Sequence, residues 1–128
     1  METAITNGVK VSVRSKYESE YSNPGEDKFV FSYKVIIENL SDDPVQLLSR
    51  HWFIVDAYLN QREVKGEGVI GETPIIQPGK SHAYSSWSPL ITEMGKMYGT
   101  YVMINLSNKD KFEVEIPTFK LIASYRYS

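Results

Sequence analysis

Apolar residues recur at every second position along most of this chain, and that period commits it to β-structure. Val9, Val11 and Val13 alternate with Lys10, Ser12 and Arg14, the mark of a strand with one face in a core and one in water. The alternation returns in Phe29, Phe31, Tyr33, Val35 and Ile37, then from Lys80 to Trp87. It recurs in Met97, Gly99, Tyr101 and Met103, and again in Phe112, Val114 and Ile116. Val45 to Tyr58 is apolar on both faces in its second half, as expected of a central strand. No stretch shows the 3.6-residue stripe of an amphipathic helix.

Turn chemistry divides these runs. Ser15 to Lys28 is polar and contains Asn23-Pro24-Gly25, so it reads as a loop. Ser41-Asp42-Asp43-Pro44 and Asn108-Lys109-Asp110 read as turns, and Leu59-Asn60-Gln61 leads into a short strand at Arg62 to Lys65. Pro78-Gly79 is a turn pair, Pro89 to Met94 a connection, and Pro117 interrupts the last ladder. The pattern predicts an antiparallel β-sandwich of immunoglobulin or fibronectin type III style with seven or eight strands. At 128 residues it is read as one domain spanning 1–128, with loose ends at about 1–7 and 124–128. The expected core is Val11, Val13, Phe31, Tyr33, Val35, Ile37, Trp52, Ile54, Tyr101, Met103, Val114 and Ile116.

Composition narrows the function classes. There is no cysteine, hence no disulfide framework, thiolate nucleophile or thiolate metal site, which fits a cytoplasmic protein. The net charge of −2 and pI of about 5.7 provide no general attraction for nucleic acid or an anionic membrane. No apolar run reaches the roughly 20 residues of a membrane helix. METAITNGVKVSV lacks the basic and apolar regions of a signal peptide.

Gly66, Gly68 and Gly71 in KGEGVIGE have the G-x-G-x-x-G spacing of a dinucleotide loop. That loop requires a helix to follow it, whose N-terminus receives the pyrophosphate. Here Pro74 and Pro78 follow within seven residues of Gly71 and exclude a regular helix. Two readings stand: a nest of backbone amides for an anion, or glycines taking positive φ at a bend. Lys65, Lys80 and Arg62 would add positive charge to a nest, while Glu67 and Glu72 would oppose a phosphate.

Other chemistry is sparse. His51 and His82 have no metal-ligand spacing, so no metal site or cofactor is expected. Serines 81, 85, 86 and 88 surround His82 without an orienting acid or nucleophile elbow. Catalysis is therefore not expected. In Arg50-His51-Trp52, Arg50 and Trp52 share one strand face and His51 takes the other. Trp52 reads as core, and Arg50 is a candidate for recognition.

Four strings resemble the ApaG family (ApaG/CorD-like proteins). They are VQLLSRHWFIVDA from Val45, EVKGEGVIGETPIIQPG from Glu63, SPLITEMGKMYGTYVM from Ser88 and FEVEIPTFKL from Phe112. The similarity extends from about Val9 to Ala123. It implies a fibronectin type III-like sandwich in which Gly66, Gly68 and Gly71 carry a family feature. It also implies an association with cobalt resistance and magnesium efflux, and a role in protein–protein binding in related domains of larger proteins. Trp87, where relatives carry a small residue, and the SYRYS tail depart from the family pattern. The combined expectation is a non-catalytic binding module for a protein partner, indirectly linked to divalent-cation homeostasis. Its expected surface comprises Arg50, Lys65, Gly66, Gly68, Gly71 and Lys80. The alternative is a small-anion, pyrophosphate or nucleotide binder using Gly66–Gly71.

Overall fold

The computed structural model describes residues 1–123, so the SYRYS tail expected to be loose lies outside the described residues. The strands are β1 (Glu2–Thr6), β2 (Val9–Tyr17), β3 (Phe29–Asn39), β4 (Val45–Asp56), β5 (Gln61–Glu67), β6 (Ile75–Ile76), β7 (Ser81–Leu90), β8 (Met94–Asn105) and β9 (Lys111–Ile122). They form two antiparallel sheets, one in the order β1-β2-β3-β7 and one in the order β5-β4-β8-β9, with β6 also paired to β4. The architecture is the predicted all-β sandwich. The strands that no alternating run announced are β1 and the two-residue β6.

The first residues, expected to be loose, instead pair with β2 from Glu2↔Val13 to Thr6↔Val9. Thr6 and Ala4 give no apolar alternation, so their placement depends on a neighbouring strand rather than on local pattern. The polar segment 15–28 is shorter as a loop than its composition suggests. β2 runs on to Tyr17, and two single 3-10 turns follow at Ser19–Tyr21 and Pro24–Glu26. Pro89 sits within β7 and Pro117 within β9. Pro117 is accommodated by a bulge: Met97 pairs with Phe119 and Gly99 with Ile116, so Tyr98 faces two residues of β9.

The core lies between the sheets, and all twelve expected core residues are buried. Trp52 packs edge-on to Tyr33, Phe119 and Tyr101 at centroid distances of 5.4, 5.9 and 6.5 Å. Tyr33 comes from one sheet and the other three from the second, so this cluster clamps the two layers together. At one end, the buried Asn39 has every side-chain polar atom satisfied. Its Nδ2 donates to the carbonyls of Asp43 and Ile76, and its Oδ1 accepts from the backbone and hydroxyl of Ser41. A single amide thus ties β3, the 41–43 turn and β6 together.

The two long sides of the sandwich differ. β9 packs against β1 and β2 and closes one side. Thr6 Oγ1 there accepts from the Glu115 amide, and the Ser15 hydroxyl donates to the Lys120 carbonyl. On the other side β5 and β7 are terminal strands of different sheets, and a cleft opens between them.

Trp52→Ala should cost about 3–5 kcal/mol, from lost transfer energy and the cavity left among three aromatic neighbours. Denaturant unfolding of the purified variant measures this; a wild-type midpoint would contradict an indole clamped between the sheets.

Candidate functional site at the open edge

Strand alternation decides which side chains line this cleft. Arg50 pairs with Gly66, Trp52 with Val64 and Ile54 with Arg62, so these residues of β4 and β5 face the opposite sheet. His82, Tyr84, Ser86 and Ser88 face them from β7, where they alternate with the exposed Ser81, Ala83, Ser85 and Trp87. The resulting cleft has a volume of about 360 Å³, with Tyr33 and Trp52 among its lining residues.

Two arginines shape it. Arg50 lies across the strand position of Gly66, where an added Cβ would fall 2.6–2.7 Å from the guanidinium. Its Nη1 donates to the carbonyls of Glu67 and Gly68 at 3.0 and 2.9 Å. Arg62 reaches from β5 across the mouth of the cleft to β7. Its Nη2 donates to the Ser88 hydroxyl and the Pro89 carbonyl, both at 3.1 Å. Among the described residues neither guanidinium has a carboxylate within 4.0 Å; the ion pairs there are His51–Glu63 and His82–Glu72.

The glycine segment is a bent hairpin that holds an arginine. Gly66 belongs to β5 rather than to an irregular turn. Gly68 has φ of 63°, and a Cβ there would lie 2.1 Å from the Glu72 carbonyl oxygen. Its amide donates to the carbonyl of Leu48, the residue bulged out of β4 between Leu47 and Ser49. Val69 and Glu72 exchange backbone hydrogen bonds around Ile70 and Gly71, both at positive φ, as in a type I′ turn. The amides of Gly68, Val69 and Glu72 are therefore occupied, and the segment aims carbonyls, not N–H groups, at Arg50. The helix that would have marked a dinucleotide loop is absent from it.

The remaining candidates separate. Lys65 pairs with His51 and therefore lies on the outer face of its sheet, away from Arg50. His51 Nε2 and Glu63 Oε1 are 2.6 Å apart on that face, where Phe53 stacks on Tyr98 and lies tilted against His51. Lys80 is exposed at the end of the 77–80 turn and touches the fold through its carbonyl, which accepts from Asn39. Arg50, Gly66 and Gly68 come together; Lys65 and Lys80 do not join them. Among the described residues no three His, Asp or Glu side chains gather where a metal would be held.

Sequence reading undervalued Arg62, Trp87 and the phenols. Trp87, 52 % exposed, packs edge-on against Tyr21 at 5.1 Å on the rim. The available signal was the departure from the family pattern at Trp87. Deeper in, the hydroxyls of Tyr84 and Tyr101 hydrogen-bond to each other across the sheets. Burial pushes the phenols of Tyr33, Tyr84 and Tyr101 above their ordinary value of 10.0, while Arg50 acts in the opposite sense on each.

These phenols set an alkaline limit. Their folded-state pKa values lie above the unfolded value, so their stabilisation is complete below pH 10.0 and is lost as pH rises through the folded values. Stability should fall above about pH 10, with phenolate absorbance of these three appearing only as the chain unfolds. Tyr101→Phe should flatten that alkaline limb and cost about 1 kcal/mol at neutral pH, from the bond lost to Tyr84. Gly68→Ala should destabilise by more than 1 kcal/mol, the positive φ adding to the collision with Glu72; thermal melting reads both.

Comparison with known proteins agrees with this fold. A family model described as the ApaG domain matches residues 19–105. Protein ApaG of Shewanella halifaxensis is 44% identical over 117 residues, covering 91% of this chain and 92% of the relative. Protein ApaG of Brucella canis is 45% identical over 121 residues, covering 94% and 92%. The crystal structure of a Bordetella pertussis protein described as ApaA superposes with a TM-score of 0.87 at 41% identity, covering 90% of this chain and 93% of that one. With a sandwich built on the same plan and this level of identity over nearly its whole length, the chain belongs to the ApaG domain family.

Proposed function

We propose that this ApaG-domain protein is a non-catalytic recognition module that binds another protein at the open edge between β5 and β7. The observation that carries this reading is the pair of guanidinium groups in one cleft, with no carboxylate in ion-pair range among the described residues. Arginine and tryptophan side chains at such a rim are the types that dominate protein interfaces. Trp87 and Tyr21 leave an exposed aromatic pair beside the arginines, which favours a partner supplying both an acidic and an apolar group. The glycine hairpin offers less to pyrophosphate or a nucleotide, because its amides at 68, 69 and 72 already donate within the fold. On this reading the association of the family with cobalt and magnesium runs through the partner, and the protein acts in the cytoplasm, where a chain without cysteine is at home. Among the described residues no helix is long and apolar enough to cross a membrane.

Affinity capture from the native cell with wild type and an Arg62→Glu, Trp87→Ala double variant tests the surface. Loss of specific partners by a variant that melts like wild type is the expected outcome. Identical partner sets would remove this edge from consideration. Pyrophosphate should leave the melting temperature unchanged, whereas a true ligand at 100 times its Kd adds about 2.7 kcal/mol.

A further inference from the structure

Terminal strands leave a row of backbone donors and acceptors unpaired, and proteins usually guard them with charge. β5 carries Arg62, Glu63, Lys65 and Glu67, and β9 carries Lys111, Glu113, Glu115 and Lys120. β7 is a ten-residue terminal strand, SHAYSSWSPL, with no Lys, Arg, Asp or Glu. It is also the strand whose inner face looks onto the two arginines.

Its hydrogen-bonding parity can be read from its two ends. In an antiparallel strand a residue's N–H and C=O point to the same side, and successive residues alternate. The carbonyl of Lys80 accepts from the Asn39 amide on the β3 side. The carbonyl of Pro89, a residue with no N–H to give, accepts from Arg62 of the other sheet. Even-numbered residues therefore pair with β3, and Ala83, Ser85 and Trp87 direct their N–H and C=O groups to the free edge. None of these six groups has a backbone partner outside the β3 ladder among the described residues.

We propose that β7 takes an extended, acidic segment of the partner protein as an added strand, with a carboxylate of that segment seated against Arg62. The inference rests on the recognition role proposed above and specifies its chemistry. An added strand lies about 4.8 Å from β7, over the mouth of the cleft. Its side chain opposite Trp87 points outward, onto the Trp87–Tyr21 pair, and suits an aromatic or branched residue. The adjacent side chain points inward, towards Arg62. That guanidinium uses Nη2 on Ser88 and Pro89, leaving its other N–H donors for a charge-assisted contact. Main-chain bonds along β7 supply affinity and the arginine supplies the preference for acid.

The test uses the ¹⁵N-labelled full chain and a synthetic peptide alternating Thr and Val with one central Glu. The expected result is amide shifts and slowed solvent exchange at Ala83, Ser85 and Trp87. Replacing the peptide's Glu with Lys, or introducing Arg62→Gln, should weaken binding about tenfold or more. Ser85→Pro removes an edge donor that the sheet does not use, and should abolish binding while melting like wild type. Ser85→Glu, which leaves the backbone intact and sets a charge against the peptide's outward Thr or Val, should weaken it. Peptide binding unaffected by both Ser85 variants, or shifts confined to other residues, would overturn strand addition. So would sedimentation showing that β7 pairs with a second copy of the chain. If cellular partners are lost on Arg62→Glu, Trp87→Ala but kept by Ser85→Pro, the recognition surface stands and strand addition alone falls.

Discussion

Arg50 is the constraint around which one side of the molecule is arranged. A guanidinium placed between two sheets must have its donors satisfied, because desolvated charge without partners is expensive. The chain supplies the carbonyls of Glu67 and Gly68. Reaching them requires a strand position with no side chain, which is Gly66, and a backbone that turns sharply afterwards, which is Gly68. The bulge at Leu48 offers a carbonyl to the amide of Gly68 and fixes the turn against β4. The motif that resembles a phosphate loop is the mould of an arginine.

The same arginine polarises the interior beside it. Tyr33, Tyr84 and Tyr101 stand within its field, and burial keeps their phenols neutral over the ordinary pH range. The Tyr84–Tyr101 hydrogen bond joins the two sheets where β5 and β7 diverge. Arg62 repeats the device at the mouth, spanning the gap to Ser88 and Pro89. On the opposite side packing of β9 against β1 and β2 closes the sandwich. Polar cross-links thus hold an edge that is left open, and an open edge is what a binding surface needs.

Much of the fold was legible because period two is a local property. Val11, Val13, Phe31, Val35, Ile37, Val114 and Ile116 are all buried as their alternation requires. Trp52 was legible for a different local reason, a strand apolar on both faces and therefore central. β1 was not, since ETAIT has no apolar period and forms a strand through pairing with β2. Lys65 shows the limit within a site. It directly precedes Gly66, and pleating sends it to the far face beside His51.

What the sequence determined by itself is therefore most of the secondary structure, the inward face of the alternating strands and the family. Side-chain period and turn chemistry act over a few residues and need no distant partner. What only the tertiary structure decided is which strands are terminal, which side of the sandwich stays open, and what the glycines are for. Those depend on residues far apart in the chain: Arg50 meeting Gly66 and Gly68, Arg62 meeting Pro89, and Tyr84 meeting Tyr101. No local pattern carries such pairings, because they arise only when distant strands are set side by side in one sheet, as with Arg50 and Gly66, or when two sheets are brought face to face, as with Arg62 and Pro89.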